Sequence, residues 1–359
     1  MCKIEEMGVF VPNLRFVDTH TRGDKKSGYA FEIKPDVSIY HGSLKKTLTS
    51  CTAYLLEAHI EFKRSGRHDP FILCDPGVDR SKTSFIGSTS DHQDTLGQLA
   101  TYAASQLASQ FRTHCFSVFI RGHIARIIRW DREGAVVTEP IEYIEDGSLV
   151  EFFSRLSQAP DELRGIDVTV TLIDEADRER QNEADRERWK EVDRARERLG
   201  LPPNTEMFKT RIGDEQFTVI LPRPSGHLFT PACRGTRTCR AYDLLGDRVV
   251  FFKDSWRINL ADIIPEGEVY AKLNSKGVPH VPTCLATWDV PCWPEQKPQT
   301  FQYSRYPWAC QVGLQITPHV HHLIVLDVAG KPLITFSCSK ELAQAIRDAL
   351  LGALLPCLW

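Results

Sequence analysis

Between Asp174 and Arg198 the sequence contains neither glycine nor proline, and acids alternate with arginines three or four residues apart. A hexapeptide, EADRER, occurs twice in or at the edge of this stretch, at 175–180 and 183–188. Such text predicts a solvated helix held by weak ion pairs of about 0.3–0.5 kcal/mol each. Trp189, Val192 and Leu199 form only a thin apolar stripe on it. Gly200 and the Pro202–Pro203 pair stop it. No continuous sheet runs through such a segment, so the chain must be organised in front of it and behind it. The expected division is a domain at 1–158, a charged helical linker at 159–204 and a second domain at 205–359.

Composition excludes several classes. The chain has 359 residues, of which 42% are hydrophobic and 25% charged, as expected of a globular protein. The net charge of −3 gives no global basic field for nucleic acid. No apolar run is long enough to span a bilayer. The N-terminal text MCKIEEMGVF lacks a signal-peptide core, which predicts an intracellular location, cytoplasmic or nuclear. The 11 cysteines are scattered without a C-x-x-C pair. They read as small hydrophobes in a reducing compartment.

The front domain reads as mixed α/β. Strand-like text at 31–40 and 55–62 precedes an amphipathic helix on which Leu99, Tyr102, Ala103, Leu107 and Phe111 share a face. Two strands follow around Gly122, and a third comes after Arg132-Glu133-Gly134. Pro35-Asp36 opens one strand. Glu61-x-Lys63 closes the next, and period two puts Glu61 and Lys63 on one face. Gln98 and Tyr102 lie one helical turn apart.

This order resembles the PD-(D/E)xK nuclease core, and its Q-x-x-x-Y element resembles the RecB-type branch. The resemblance implies a restriction-endonuclease-like α/β domain with Asp36 and Glu61 as ligands of a divalent metal, usually magnesium. It also implies Lys63 as the group that positions water, with Gln98 and Tyr102 in support, and nucleic acid as a partner. The alternative reading is a solvent-exposed Glu61–Lys63 pair and a turn at Asp36.

The rear domain has a hairpin signal at Gly246-Asp247 and a lysine, Lys253, at the end of the apolar run Val250-Phe251-Phe252. The segment PEGEVYAKLNSKG reads as a helix, with Pro265 near its start and Gly277 past its end. The apolar strand HHLIVLDV follows, and a last helix starts near Ser339. His319, His321 and His322 read as core or edge residues of that strand. Trp293, Tyr303, Tyr306 and Trp308 read as a loop packing on itself.

The rear order resembles a protein-kinase small lobe, an antiparallel sheet plus a helix, without a large lobe. The blocks RGTR, AYDLLGDRVVFFKDSWR, EGEVYAKLNSKGVPHVPT and LDVAGKPL, with GQLATYAASQLASQFRTHCFSVFIRGHIARIIRWDREGAVVTEPI upstream, resemble the fungal-type protein kinase family over roughly residues 30–350. The resemblance implies ATP-dependent serine/threonine phosphotransfer with Mg2+. It implies an ion pair between Lys253 and Glu266, with Glu268 as the alternative, and nucleotide contacts from Gly235, Leu326, Asp327 and Ala329.

Two departures qualify this. Cys233 replaces the first glycine of the expected phosphate loop. After Lys253 the sequence contains neither H-R-D-x-x-x-x-N nor D-F-G, and its tail ALLGALLPCLW leaves the family pattern. The expectation is a chain truncated before the catalytic loop and inactive alone, or a pseudokinase-like interaction protein. The final helix carries Leu342, Ile346, Leu350 and Leu354 on one face, which predicts association through a bare apolar patch.

Overall fold

The computed structural model describes residues 11–24, 32–44, 47–72, 77–79, 83–173, 183–213, 217–224, 228–291, 294–309 and 316–354. Among these, no helix is long and apolar enough to cross a membrane. The first EADRER copy and Trp293 lie outside the described residues.

The chain divides into two compact units. The first comprises residues 1–168, 224–235 and 292–319; the second comprises 169–223, 236–291 and 320–359.

The first unit is built on one sheet. Its strands are β1 (Leu14–Asp18), β2 (Val37–His41), β3 (Leu56–Lys63), β4 (Cys115–Arg121), β5 (Ile124–Trp130), β6 (Ala135–Val137) and β7 (Ile141–Glu142), with helices α1 (Ser90–Ser109) and α2 (Ser148–Gln158). The order is β1-β2-β3-β4-β5-β6, and β7 also pairs with β5. Among the described residues, strands β3 and β4 are parallel and the other pairings in this sheet are antiparallel. A parallel neighbour requires a long crossover, and α1 supplies it.

Both faces of the sheet are covered. Leu149, Phe153 and Leu156 of α2 pack on Phe16, Ile39, Ile60, Val118 and Ile120. Leu99, Ala103 and Leu107 of α1 pack on Cys115, Phe119, Ile128 and Trp130. Leu99 and Leu107 are fully buried, each worth about 1.5–3 kcal/mol. Alternation along β3 sends Ala58 and Ile60 to the α2 side, leaving Glu57, His59, Glu61 and Lys63 on the opposite face.

The same unit includes the short helix α5 (Thr300–Tyr303). Asp131 accepts hydrogen bonds from the backbone N–H of Gln299 (2.8 Å) and Thr300 (3.2 Å), and from the Thr300 hydroxyl (2.9 Å). Glu133 accepts from Phe301 N–H (2.8 Å) and His319 N–H (2.9 Å). Two acids beyond β5 thus fix a segment that sequence reading had assigned to the rear domain. Tyr303, Tyr306 and Trp308 do pack on one another, with the Tyr306 and Trp308 rings stacked nearly parallel at 5.8 Å.

The second unit holds another seven-stranded sheet, made of β8 (Val170–Leu172), β9 (Met207–Ile212), β10 (Phe217–Pro222), β11 (Arg237–Asp243), β12 (Arg248–Ile258), β13 (Cys284–Asp289) and β14 (His319–Leu326). Its order is β13-β14-β12-β11-β10-β9-β8. The β11–β12 hairpin turns at Asp247, whose φ of +44° suits the predicted Gly-Asp turn. Helix α4 (Glu266–Ser275) lies in sequence between β12 and β13, and α6 (Ser339–Leu354) follows β14. Ser339 is the first helical residue of α6, and Glu341 caps its start by accepting the Ser337 N–H at 2.7 Å.

The charged segment forms α3 (Glu183–Leu199). It is not a free connector. Trp189, Val192, Ala195 and Leu199 are buried against Met207, Ile220 and Tyr242, so the helix belongs to the second unit. A stripe of four apolar residues suffices because the sheet beneath it is itself apolar.

Candidate functional sites: an ion pair in the second unit and a carboxylate–lysine cleft in the first

Strand β12 carries Lys253 at the register position facing Thr238 of β11. The Lys253 ammonium donates to both oxygens of Glu266, at 2.7 and 2.6 Å. Glu266 is the first residue of α4, where a carboxylate also complements the helix dipole. Glu268, the alternative, is exposed.

The helix is held tightly behind that pair. A Cβ at Gly267 would lie 2.1 Å from Thr287 Oγ1, so only glycine permits this approach of α4 to β13. Asn274 donates to Pro282 C=O (3.1 Å) and accepts from Cys284 N–H (3.1 Å). Thr287 faces His322, whose Nδ1 is 2.7 Å from Asp289 Oδ1; Arg257 clasps the same carboxylate. Burial alone would raise the Asp289 carboxyl, but hydrogen bonds from Arg257 and His322 outweigh it and hold it low.

Two histidines of the PHVHH run are thus partners of acids. His321 Nε2 lies 2.9 Å from Asp254 Oδ1, Arg237 binds the same carboxylate, and the His321 ring stacks on Trp256 at 4.7 Å. Asp254 is buried. Desolvation pushes its carboxyl up, yet the Arg237 and His321 charges hold it well below the usual range.

Leu326 ends β14 and is buried. Asp327 N–H donates to Thr283 C=O (3.0 Å), and its carboxylate accepts the Thr283 N–H (2.8 Å). Ala329 is half-buried. Gly235 falls in the first unit, with φ +51°. A Cβ there would meet the Arg132 guanidinium at 2.8 Å, a packing reason for glycine that involves no ligand.

In the first unit, Asp36, Glu61, Lys63 and Gln98 come together. Asp36 accepts the Phe62 N–H at 2.8 Å, which ties the start of β2 to the end of β3. Lys63 Nζ donates to Glu61 Oε1 (2.5 Å) and to Gln98 Oε1 (2.8 Å). Burial pushes the Glu61 carboxyl up; Lys63 counters and Asp36 adds to the rise. The Tyr102 hydroxyl donates to Lys34 C=O (2.9 Å), two residues before Asp36.

These groups adjoin a cleft of about 540 Å3 lined by Asp18, His20, Asp36, Val37, Phe62, Lys63, Arg64 and Gly122. Asp18, His20, Phe62 and Arg64 were not singled out in the sequence; an Asp-x-His step at a strand end is too short a string to stand out. His59 was missed as well. It is fully buried, neither ring nitrogen has a hydrogen-bond partner, and its ring meets Tyr102 edge-on at 5.4 Å. Burial drives its imidazole down to about 3.

The donor set bears on what metal the cleft suits. Among the described residues no three His, Cys, Asp or Glu gather as a metal-ligand cluster. Two carboxylates without a third ligand suit magnesium, which keeps several waters, and not a tetrahedral zinc site.

The sheet order β10-β11-β12-β14-β13, with α4 between β12 and β13 in sequence and a lysine–glutamate bridge joining strand to helix, is consistent with an α+β kinase-like fold. The model of the family described as fungal protein kinase matches residues 87–354, and the chain belongs to that family. The match begins just before α1, so Gln98 and Tyr102 lie inside it and Asp36, Glu61 and Lys63 outside. No curated protein and no solved structure is significantly similar to the chain.

Proposed function

We propose that the second unit is an ATP-binding kinase small lobe. The Lys253–Glu266 bridge carries this reading. In kinases such a pair aims the lysine at the α- and β-phosphates of the nucleotide. The backbone after Leu326 would meet the adenine edge, with Asp327 fixing that segment to β13.

Transfer of the γ-phosphate needs a base for the substrate hydroxyl and an Asp and Asn for magnesium. Within these 359 residues neither motif occurs, so no residue is assigned to that metal and no transfer step is derived. What these residues support is nucleotide binding within a family whose activity is phosphotransfer to protein. Thermal unfolding of the full chain tests it: ATP at a hundred times its dissociation constant should add about 2.7 kcal/mol of stability. Lys253→Met should cut that gain to about 0.4–1.4 kcal/mol at the same ATP concentration; an undiminished gain removes Lys253 from the site.

A second reading attaches to the first unit, favoured by the convergence of Asp36, Glu61, Lys63 and Gln98 at one cleft. There the unit binds a nucleic-acid strand and hydrolyses its phosphodiester. Asp36 and Glu61 would hold a divalent cation, which when bound supplies positive charge for the phosphate oxygens. Lys63, anchored by Glu61 and Gln98, orients the attacking water. Magnesium-dependent cleavage that disappears in Asp36→Ala and in Lys63→Ala supports this reading; a chain that cleaves no DNA or RNA reduces the unit to a scaffold.

A further inference from the structure

The cleft holds a second pair of groups. His20 Nδ1 lies 2.5 Å from Asp18 Oδ1, and the His20 backbone N–H reaches the same oxygen at 3.3 Å. The residue between them, Thr19, is fully buried and acts as a rivet. Its hydroxyl donates to Pro35 C=O (2.7 Å) and lies 2.9 Å from Ser38 Oγ, and its N–H donates to Asp36 C=O (3.0 Å). Arg22 donates to Asp18 C=O at 3.0 Å. The Asp18–His20 pair is therefore pinned to the strand entry that carries Asp36, although both side chains are half-exposed and open to a ligand. Phe62, 41% exposed, and Arg64 line the same cleft, giving a face for a base and a cation for a phosphate.

We infer that Asp18 and His20 form a proton-donating dyad for phosphodiester hydrolysis in this cleft. The inference rests on the second reading above and adds the group that protonates the leaving oxygen. Asp18 accepts the Nδ1–H and fixes the tautomer and ring orientation, so it is a positioning residue. His20 Nε2 faces the substrate as general acid. The oxygen of the attacking water forms a bond to phosphorus. The bond from phosphorus to the leaving sugar oxygen breaks and its electron pair stays on that oxygen, which takes the Nε2 proton. The water's proton leaves to solvent, and solvent reprotonates the ring, so one water is consumed per bond cut.

The test uses the full chain with Mg2+ and two probes. One is a fluorescein-labelled single strand, in DNA and RNA forms. The other is bis(4-nitrophenyl) phosphate, whose leaving group departs without a proton. His20→Asn should cut strand cleavage by about 10²–10⁴-fold while leaving the nitrophenyl ester nearly unaffected. Lys63→Ala should lose both. In Asp18→Asn the ¹⁵N shifts of His20 should report loss of the Nδ1–H tautomer, with a partial loss of strand cleavage. A wild-type chain that cuts the strand, with His20→Asn cutting it equally fast, overturns the dyad alone. A wild-type chain that cuts neither probe overturns the hydrolytic reading and the dyad with it. Whether the DNA or the RNA form is cut identifies the sugar.

Discussion

Lys253 and Glu266, thirteen residues apart in sequence, meet through both carboxylate oxygens at 2.7 and 2.6 Å. The strand supplies one partner and the first residue of α4 the other, so the bridge reports the position of the helix as well as the chemistry of the lysine. That position depends on Gly267, whose missing side chain lets α4 rest on Thr287.

Gly267→Ala should therefore act on the bridge from behind. The added methyl would meet Thr287 Oγ1 at 2.1 Å and its Cβ at 2.5 Å, so helix or strand must shift. Overpacking of this kind costs about 1–3 kcal/mol. Denaturant unfolding should show that loss, and ATP binding should weaken with it; a variant as stable as wild type would show that α4 yields freely.

His59 should be a net liability to stability. Both its ring nitrogens are buried without partners. An unsatisfied buried polar group costs about 1–3 kcal/mol, so His59→Leu should raise the melting temperature at neutral pH. The pH dependence has a definite sign. The folded ring titrates near 3, and the unfolded ring near 6.5. The unfolded chain therefore binds the extra proton between these values, and stability falls as pH drops below about 6.5. His59→Leu should flatten that part of the melting-temperature profile.

Asp254 should behave as a buried counter-ion. Its carboxyl is depressed in the fold, so the stability it contributes is present above the unfolded value of about 3.9 and is lost as pH falls below it. Asp254→Asn removes the buried negative charge that Arg237 and His321 share, and breaking such a buried pair costs about 3–5 kcal/mol. The gap between variant and wild type should narrow in acid, read from unfolding curves at neutral pH and below 3.9.

Glu61 carries the opposite sign. Burial raises its carboxyl, so the ionised form is disfavoured by the fold above the unfolded value and relieved as pH falls. Glu61→Gln, which keeps an acceptor for Lys63, should raise the melting temperature at neutral pH and remove any magnesium-dependent stabilisation. Unchanged stability with magnesium binding intact would take Glu61 out of the cleft's chemistry.

Much of the second unit was legible because local signals agreed. The Gly246-Asp247 turn, the apolar run into Lys253, and Pro265 with Gly277 around a helix each fix an element on their own, and the kinase resemblance added the choice of Glu266 over Glu268 as the partner of Lys253. In the first unit, period two on β3 put Glu61 and Lys63 on one face, while Gln98 was placed beside them only by what the nuclease resemblance implied. The particular bond Tyr102 makes was not legible, since spacing says nothing of the Lys34 carbonyl that takes its hydroxyl. What stayed hidden depended on distant partners. Asp131 and Glu133 hold residues 299–301 and 319 through hydrogen bonds spanning more than 160 residues, and no local string encodes them. Helix α3 was readable as a helix, but its docking depended on the apolar face of the sheet below it.

Calorimetric titration of ATP into the full-length wild-type chain, Lys253→Met and Glu266→Gln tests the central claim most directly. The account requires saturable binding by wild type, binding weakened about 10- to 100-fold in Lys253→Met, equivalent to about 1.4–2.7 kcal/mol, and a smaller loss in Glu266→Gln, where the lysine keeps its charge and loses its aim. Equal affinities in all three chains, or no binding by wild type, would contradict it.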